Sequence, residues 1–419
     1  MMLGYLLARA GVDVTVLEKH ADFFRDFRGD TVHPSTLEVM HELGLLEDFL
    51  KLPHQKVTSA GARVGDFELR VADFSHLSTH CKFVALMPQW DFLNFLSDRA
   101  KRFPSFRLQM QHEGVDLLRD GATVVGVEAR SPEGPVYIQA QLVVACDGRH
   151  STMRPAAGLQ VQEFGVPMDV LWFRFSRRAG DPDDVLGNVN YGKGLILINR
   201  GDYFQSGLII RKGSFEQLKL DGLDRFRQTI LRIAPYLGER AGEIQNWDQI
   251  KLLTVRLNRL RRWHLPGLLC IGDAAHAMSP VGGVGINLAI QDAVAAANLL
   301  AEPLQRGQVT DATLARVQER REFPTRVTQA VQANAHKLLE RVFEAGDRPL
   351  KAPWQLKAVA RVPGLQRVTG HMVGIGVRPE HVAGAARREP QPEWSLKKAA
   401  VQAGALLGAV VATIRALRG

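Results

Sequence analysis

The residues best placed to do chemistry lie in GLLCIGDAAHAMSPVGGVGINLAIQDA, Gly267 to Ala293. A buried strand delivers Gly272–Asp273 to the C-terminal edge of a sheet, where ligands of α/β proteins bind. A carboxylate there can accept hydrogen bonds from a polyol chain. The loop PVGGVG lets backbone amides come close to a flat ligand. The next helix starts at about Asn287, so its dipole can stabilise negative charge on that ligand. A second stretch, LVVACDGRHSTMR (Leu142 to Arg154), ends a strand at Asp147–Gly148, a tight turn that can orient amides toward phosphate. By itself it reads equally well as a plain Asp-Gly loop. The third is the opening, MMLGYLLARAGVDVTVLEKH. A helix with a small residue at Gly4, for close packing, runs into a strand ending at Glu18. This is the second half of a βαβ dinucleotide unit, whose acid takes ribose hydroxyls. The same residues also fit a generic βα unit with a surface Glu.

These groups need a scaffold that brings strand ends together. Strands alternating with helices imply a parallel α/β sheet. Ser35 with Glu38 has the spacing of a capping box, and residues 88–102 read as a helix. ARVGDFELRVADF suggests a strand pair turning at Gly65–Asp66. The character changes between Pro167 and Thr254. LILINRGDYFQSGLII reads as a hairpin about Gly201–Asp202, followed by an amphipathic helix over Phe215–Leu237. Residues 1–166 and 255–345 are therefore expected to form one α/β domain. Residues 167–254 would form an antiparallel-sheet domain for the substrate, with 62–84 adding strands to it, and 346–419 a helical C-terminal region.

At 419 residues, with 46% apolar and 23% charged, the chain has the composition of a packed globular protein. Lys and Arg number 53 against 44 Asp and Glu. The tightest basic cluster, Arg256, Arg259, Arg261 and Arg262, is short and broken by leucines, so no nucleic-acid partner is expected. Three distant cysteines, Cys81, Cys146 and Cys270, argue against a disulfide framework and against zinc. No metal is expected, and a reducing, cytoplasmic setting fits. The N-terminus has no signal-peptide pattern. The tail Lys397–Gly419 reads as a packed C-terminal helix or as a weak anchor lying on the inner membrane face.

Taken together and in order, the three motifs resemble the flavin-dependent monooxygenases of the para-hydroxybenzoate hydroxylase type, the single-component FAD aromatic hydroxylases. The resemblance covers roughly residues 1–345. It implies a glutathione-reductase-like FAD-binding domain, a parallel sheet with helices, beside the antiparallel substrate sheet and the helical tail. It also implies FAD as cofactor, NADH or NADPH as a transient co-substrate, O2 and a small molecule as substrates, and a homodimer as one assembly. In this family Asp147 and Gly148 would contact FAD and the nicotinamide route. Asp273, after Gly272, would bind the ribityl chain. Pro280, Gly282, Gly285, Ile286 and Asn287 would embrace the isoalloxazine. Arg28 in FRGDT and Gln89 in MPQWDFL would also touch the cofactor, and Glu18 would take the ribose. The reaction implied is hydroxylation of an electron-rich aromatic through a flavin C4a-hydroperoxide. No catalytic base is assigned: Tyr191, Tyr203, Gln205 and His76 lie in sheet-forming segments that could roof the flavin, and an ordinary packed or surface role is the favoured reading of each.

The chain departs from the family at its start, where the first strand and GxGxxG turn are not among these residues. The favoured explanation is a misassigned start; the rival is a true truncation that would bind FAD poorly or be inactive. A halogenase would need a Trp-x-Trp-x-Ile-Pro stretch that VLWFRF does not match. An FAD-dependent reductase of a polyprenyl substrate is the alternative enzyme.

Overall fold

The computed structural model describes residues 1–24, 31–181, 186–352, 354–362 and 364–383. VDVTVLE alternates, and it forms the strand Val14–Glu18. That strand pairs in parallel with Phe106–Met110, Val14 opposite Phe106 and Glu18 opposite Met110. A parallel pair needs a long crossover, and the chain between them supplies helices Pro34–Glu42 and Gln89–Ala100. The run LVVAC gives a second parallel pair, Val143–Ala145 with Leu268–Cys270. Among the described residues Val14–Glu18 pairs only with Phe106–Met110, and Val143–Ala145 only with Leu268–Cys270, which carries the short antiparallel strand His264–Leu265 on its other side.

Helices pack these ladders into one apolar core. The first helix, Met2–Arg9, buries Leu3, Leu6 and Leu7 against Phe92, Leu96, Leu269, Val294 and Leu300. Each such side chain contributes about 1.5–3 kcal/mol on leaving water. Close packing needs Gly4, because a Cβ there would sit 2.7 Å from Val16 Cγ2. The loop helix, Gly285–Gln305, is long and apolar enough to span a membrane by composition, yet here it is a core helix with most of that stretch buried. The tail Lys397–Gly419 lies outside the described residues.

The second layer is a seven-stranded sheet. Its order is Lys251–Leu253, Met168–Ser176, Tyr203–Arg211, Lys193–Asn199, Leu186–Asn190, Ser59–Val64, Phe67–Asp73. The hairpin at Gly201–Asp202 and the turn at Gly65–Asp66 both form as the sequence suggests. Side chains alternate across the sheet. Leu171, Phe173 and Phe175 face one way, into a core with Phe226, Ile230 and Leu237. Met168 and Val170 face the other way, toward Val281, Leu339 and Phe343.

Two local expectations fail. The helix over Phe215–Leu237 is broken into Phe215–Asp221 and Leu223–Ile233, because Gly222 takes φ +92°, outside helical space. The capping box at Ser35–Glu38 does not form either. His33 is the N-cap, Pro34 the first helical residue, and the Glu38 carboxylate instead accepts the His80 amide at 3.0 Å. Proline at that position pre-sets the helical φ and makes the side-chain cap dispensable.

Candidate cofactor and active site

The Asp-Gly turn braces itself. Gly148 adopts φ +84°, and Asp147 Oδ2 accepts the amides of Thr152 at 2.8 Å and Met153 at 3.2 Å. Arg154, buried, donates Nη2 to the Arg149 carbonyl at 2.6 Å, and its own amide donates to Ser151 Oγ. The Asp147 carboxylate is thus occupied in shaping the turn. Apart from Gly148 itself and its two chain neighbours, nothing described lies within 4 Å of where a Cβ would stand at Gly148, so this face has open space beside it.

Because Val143–Ala145 and Leu268–Cys270 are parallel neighbours, their turns emerge side by side. Arg149 Nη2 of the first reaches Asp273 Oδ2 of the second at 3.7 Å. The Gly272 amide donates to Asp292 Oδ2 at 3.0 Å. Asp292 is fully buried on the loop helix, and it also accepts His276 Nε2 at 2.6 Å and Arg321 Nε at 2.9 Å. Burial by itself would raise the Asp292 pKa, but His276 and Arg321 outweigh it and hold the carboxyl below its ordinary range.

The Gly-rich loop is fixed from two sides. On one side Asn287 is a hub. Its Oδ1 accepts the His33 amide and Thr36 Oγ1, both at 2.8 Å, and its Nδ2 donates to the Thr31 carbonyl at 3.0 Å and the Gly283 carbonyl at 3.3 Å. Thr31 Oγ1 donates to the Gly283 carbonyl at 2.9 Å. Gly283 cannot carry a side chain, since its φ is +63° and a Cβ would meet Thr31 Oγ1 at 2.6 Å. The Asn287 side chain is therefore committed to the protein. What remains for a ligand is backbone, and the helix begins earlier than expected, at Gly285. Amides of a helix's first turn have no intrahelical partner.

On the other side the long helix Asp311–Glu344 presents a polar stripe that the sequence analysis missed. Gln332 accepts the Ser279 amide at 3.0 Å and donates to the carbonyls of Ser279 at 2.8 Å and Val281 at 3.0 Å. His336 Nε2 lies 2.8 Å from Ser279 Oγ, and Gln329 Nε2 donates to the Asn258 carbonyl at 2.7 Å. Arg321, Thr325, Gln329, Gln332 and His336 fall within an arc of about 80° at 100° per residue, and all five are buried. The available signal was polar residues at the period of a core-facing stripe.

The remaining candidates are less tightly gathered. Glu18 ends its strand, and its Oε1 accepts the His20 amide at 3.0 Å. Gln89 opens its helix and makes no hydrogen bond to the other candidates among the described residues. Arg28 lies outside the described residues. Tyr191 lies under the Arg232 guanidinium, 4.5 Å from its ring centroid, on the helix-covered side of the sheet. Gln205 Oε1 accepts two bonds from Arg200, both 3.2 Å.

His33 gives the site a pH signature. Burial lowers its pKa from 6.5 to about 4, opposed by the Val373 carbonyl, 2.7 Å from Nδ1. A ring neutral in the fold and protonated in the unfolded chain makes stability fall as pH drops from 6.5 toward 4. The loss approaches roughly 3 kcal/mol, at 1.36 kcal/mol per pKa unit. Urea midpoints at pH 7.5 and 4.5 should show this loss, and His33→Gln should flatten it; an equal slope in the variant would remove His33 as its source.

The donor set fits FAD over much of its length. Carboxylates stand at the ends of Val14–Glu18 and just past Leu268–Cys270, the face of Gly148 is open, and a rigid glycine loop precedes a helix N-terminus. Comparison with known proteins agrees. A family model described as FAD binding domain matches residues 1–331. The chain is 28% identical over 351 residues to 6-methylpretetramide 4-monooxygenase of Streptomyces rimosus, covering 81% of each. It is 27% identical over 322 residues to para-nitrophenol 4-monooxygenase of a Pseudomonas species, covering 73% of this chain and 75% of that one. Among solved structures it superposes on pqsL, a probable FAD-dependent monooxygenase from Pseudomonas aeruginosa. The TM-score is 0.70 at 20% identity, covering 82% of this chain and 94% of that chain.

Proposed function

We propose a substrate class from the premise that this chain belongs to the FAD binding domain family and is an FAD-dependent monooxygenase: it hydroxylates an electron-rich aromatic small molecule, phenolic and broad enough to lie along an apolar sheet. One observation carries this reading. Val281, in the loop assigned to the isoalloxazine, packs in one cluster with Met168, Val170, Ile209 and Phe343, and Trp172 and Ile196 adjoin it. The loop and the sheet face opposite the Phe226 core meet across apolar side chains, with Leu339 and Phe343 of the long helix closing one side, and a flat apolar substrate is what such an interface accepts. The two monooxygenase relatives, one acting on a pretetramide and one on a nitrophenol by name, support it. They do not support the polyprenyl reductase.

In this reading Asp273 accepts hydrogen bonds from the ribityl hydroxyls and Glu18 from the ribose. The first-turn amides of Gly285, Ile286 and Asn287 favour negative charge at the isoalloxazine edge. Asn287 and Gln332 keep those amides in place through the loop, and the sheet excludes water from the reacting centre. When bound, FAD supplies the reduction of O2 and the oxygen transfer, chemistry that no side chain here provides. The balance is aromatic C–H, NAD(P)H, H⁺ and O2 going to C–OH, NAD(P)⁺ and water.

The test supplies the protein with FAD, NADH or NADPH, and a panel of phenols, naphthols and polycyclic phenols. O2 uptake should match NAD(P)H oxidation and a product heavier by one oxygen atom. NAD(P)H oxidation that yields only hydrogen peroxide across the panel would sink the substrate assignment.

A further inference from the structure

We propose that Glu380 is a positioning residue for the Gly272–Asp273 turn, acting through Arg321 and Asp292; this rests on the assignment of that turn to FAD. Glu380 lies beyond the residues matched by the family model, 1–331. The short segment around it nevertheless completes a buried ionic chain that ends on the turn. Arg321 is 1% exposed and sits between two carboxylates. Its Nε donates to Asp292 Oδ1 at 2.9 Å, and its Nη1 donates to Glu380 Oε1 at 3.3 Å and to the Arg378 carbonyl at 3.2 Å. Glu380 is itself held, by Arg320 at 2.8 and 3.2 Å and by Gln291, which accepts its amide. The other oxygen of Asp292 receives the Gly272 amide.

The chain runs Glu380, Arg321, Asp292, Gly272, with the ribityl acid as the next residue. A buried guanidinium is tolerated only where its charge and its donors are met. With the Glu380 carboxylate gone, Arg321 keeps one counter-carboxylate, Asp292, and the charged acceptor on Nη1 is lost, leaving there the Arg378 carbonyl. Its pull on Asp292 changes direction, and the Gly272 amide loses a fixed partner. The segment has a second, independent tether: Glu42 Oε2 accepts the Val382 amide at 2.8 Å, and Glu42 also bonds His381. That tether touches none of the four links, so it serves as a control for simple loosening.

Amide hydrogen exchange on the full chain without flavin tests the relay. Glu380→Gln should speed exchange across residues 268–277 about tenfold, by more than it speeds exchange in the strands Met168–Ser176 and Tyr203–Arg211, whose opening reports any global loss of stability. Glu42→Gln should loosen 381–383 and leave 268–277 unchanged. FAD affinity, read by quenching of flavin fluorescence, should fall by a similar factor in Glu380→Gln only. The proposal is overturned if 268–277 keeps its protection in Glu380→Gln, or if Glu42→Gln exposes it equally. It is also overturned if exchange rises with no change in FAD affinity. A failure of the FAD assignment shows separately, as wild-type protein that does not quench flavin at all.

Discussion

Asp292→Ala is expected to destabilise the chain by about 3–5 kcal/mol, the usual cost of stripping one partner from a buried ion pair. Three donors converge on this carboxylate: the Gly272 amide, His276 Nε2 and Arg321 Nε. Both Asp292 and Arg321 are closed to solvent. Truncation leaves the guanidinium with Glu380 as its one carboxylate among the described residues and strands the Gly272 amide and His276 Nε2 without this acceptor. Asp292→Asn keeps one acceptor but turns an NH2 toward a donor, so it should fall between the two. Urea denaturation read by tryptophan fluorescence gives the number. A loss below about 1 kcal/mol in the alanine variant would mean that the network rearranges freely and does not hold the turn.

Asn287→Leu should cost about 2–4 kcal/mol and release the Gly-rich loop. The substitution keeps the branching and the number of heavy atoms and removes every polar partner. The His33 amide and Thr36 hydroxyl lose their acceptor in a site where both residues are buried. A buried donor left unmet costs about 1–3 kcal/mol. The Gly283 carbonyl keeps Thr31 Oγ1, so the loop loosens without collapsing. Stability and flavin affinity should therefore drop together. If stability falls while FAD binds as before, the loop's contribution to the cofactor site is wrong.

What could be read from the chain beforehand divides by range. The α/β class, the hairpins at Gly65 and Gly201 and the strand running into Gly272–Asp273 rest on local chemistry: alternation, turn residues, glycine next to acid. Those signals are complete within ten residues. Partners chosen across the fold were not legible. Glu38 looks like a helix-capping acid, yet it binds His80, 42 residues on. Gln329 and Gln332 look like a solvent face, yet they serve backbone groups 51 to 71 residues away, and His336 meets the Ser279 hydroxyl, 57 residues away. The family resemblance makes Asn287 a cofactor residue, and no local signal tells that its side chain is spent on residues more than 250 positions upstream. The break at Gly222 is visible as a glycine, but a glycine inside an amphipathic run does not announce a positive-φ extended residue that ends one helix and starts the next.

The long helix behaves as a ruler. Its marks are Arg321 under the Gly272 turn, Gln329 against the Asn258 carbonyl, and Gln332 with His336 along Ser279. Exchanging a residue between marks disturbs one spot. Inserting one between Arg321 and Gln332 would rotate everything downstream by about 100° and shift it by about 1.5 Å, carrying two marks off the loop together. Chain length in that stretch is as tightly set as any side chain, and an insertion or deletion there is a different kind of lesion from a substitution.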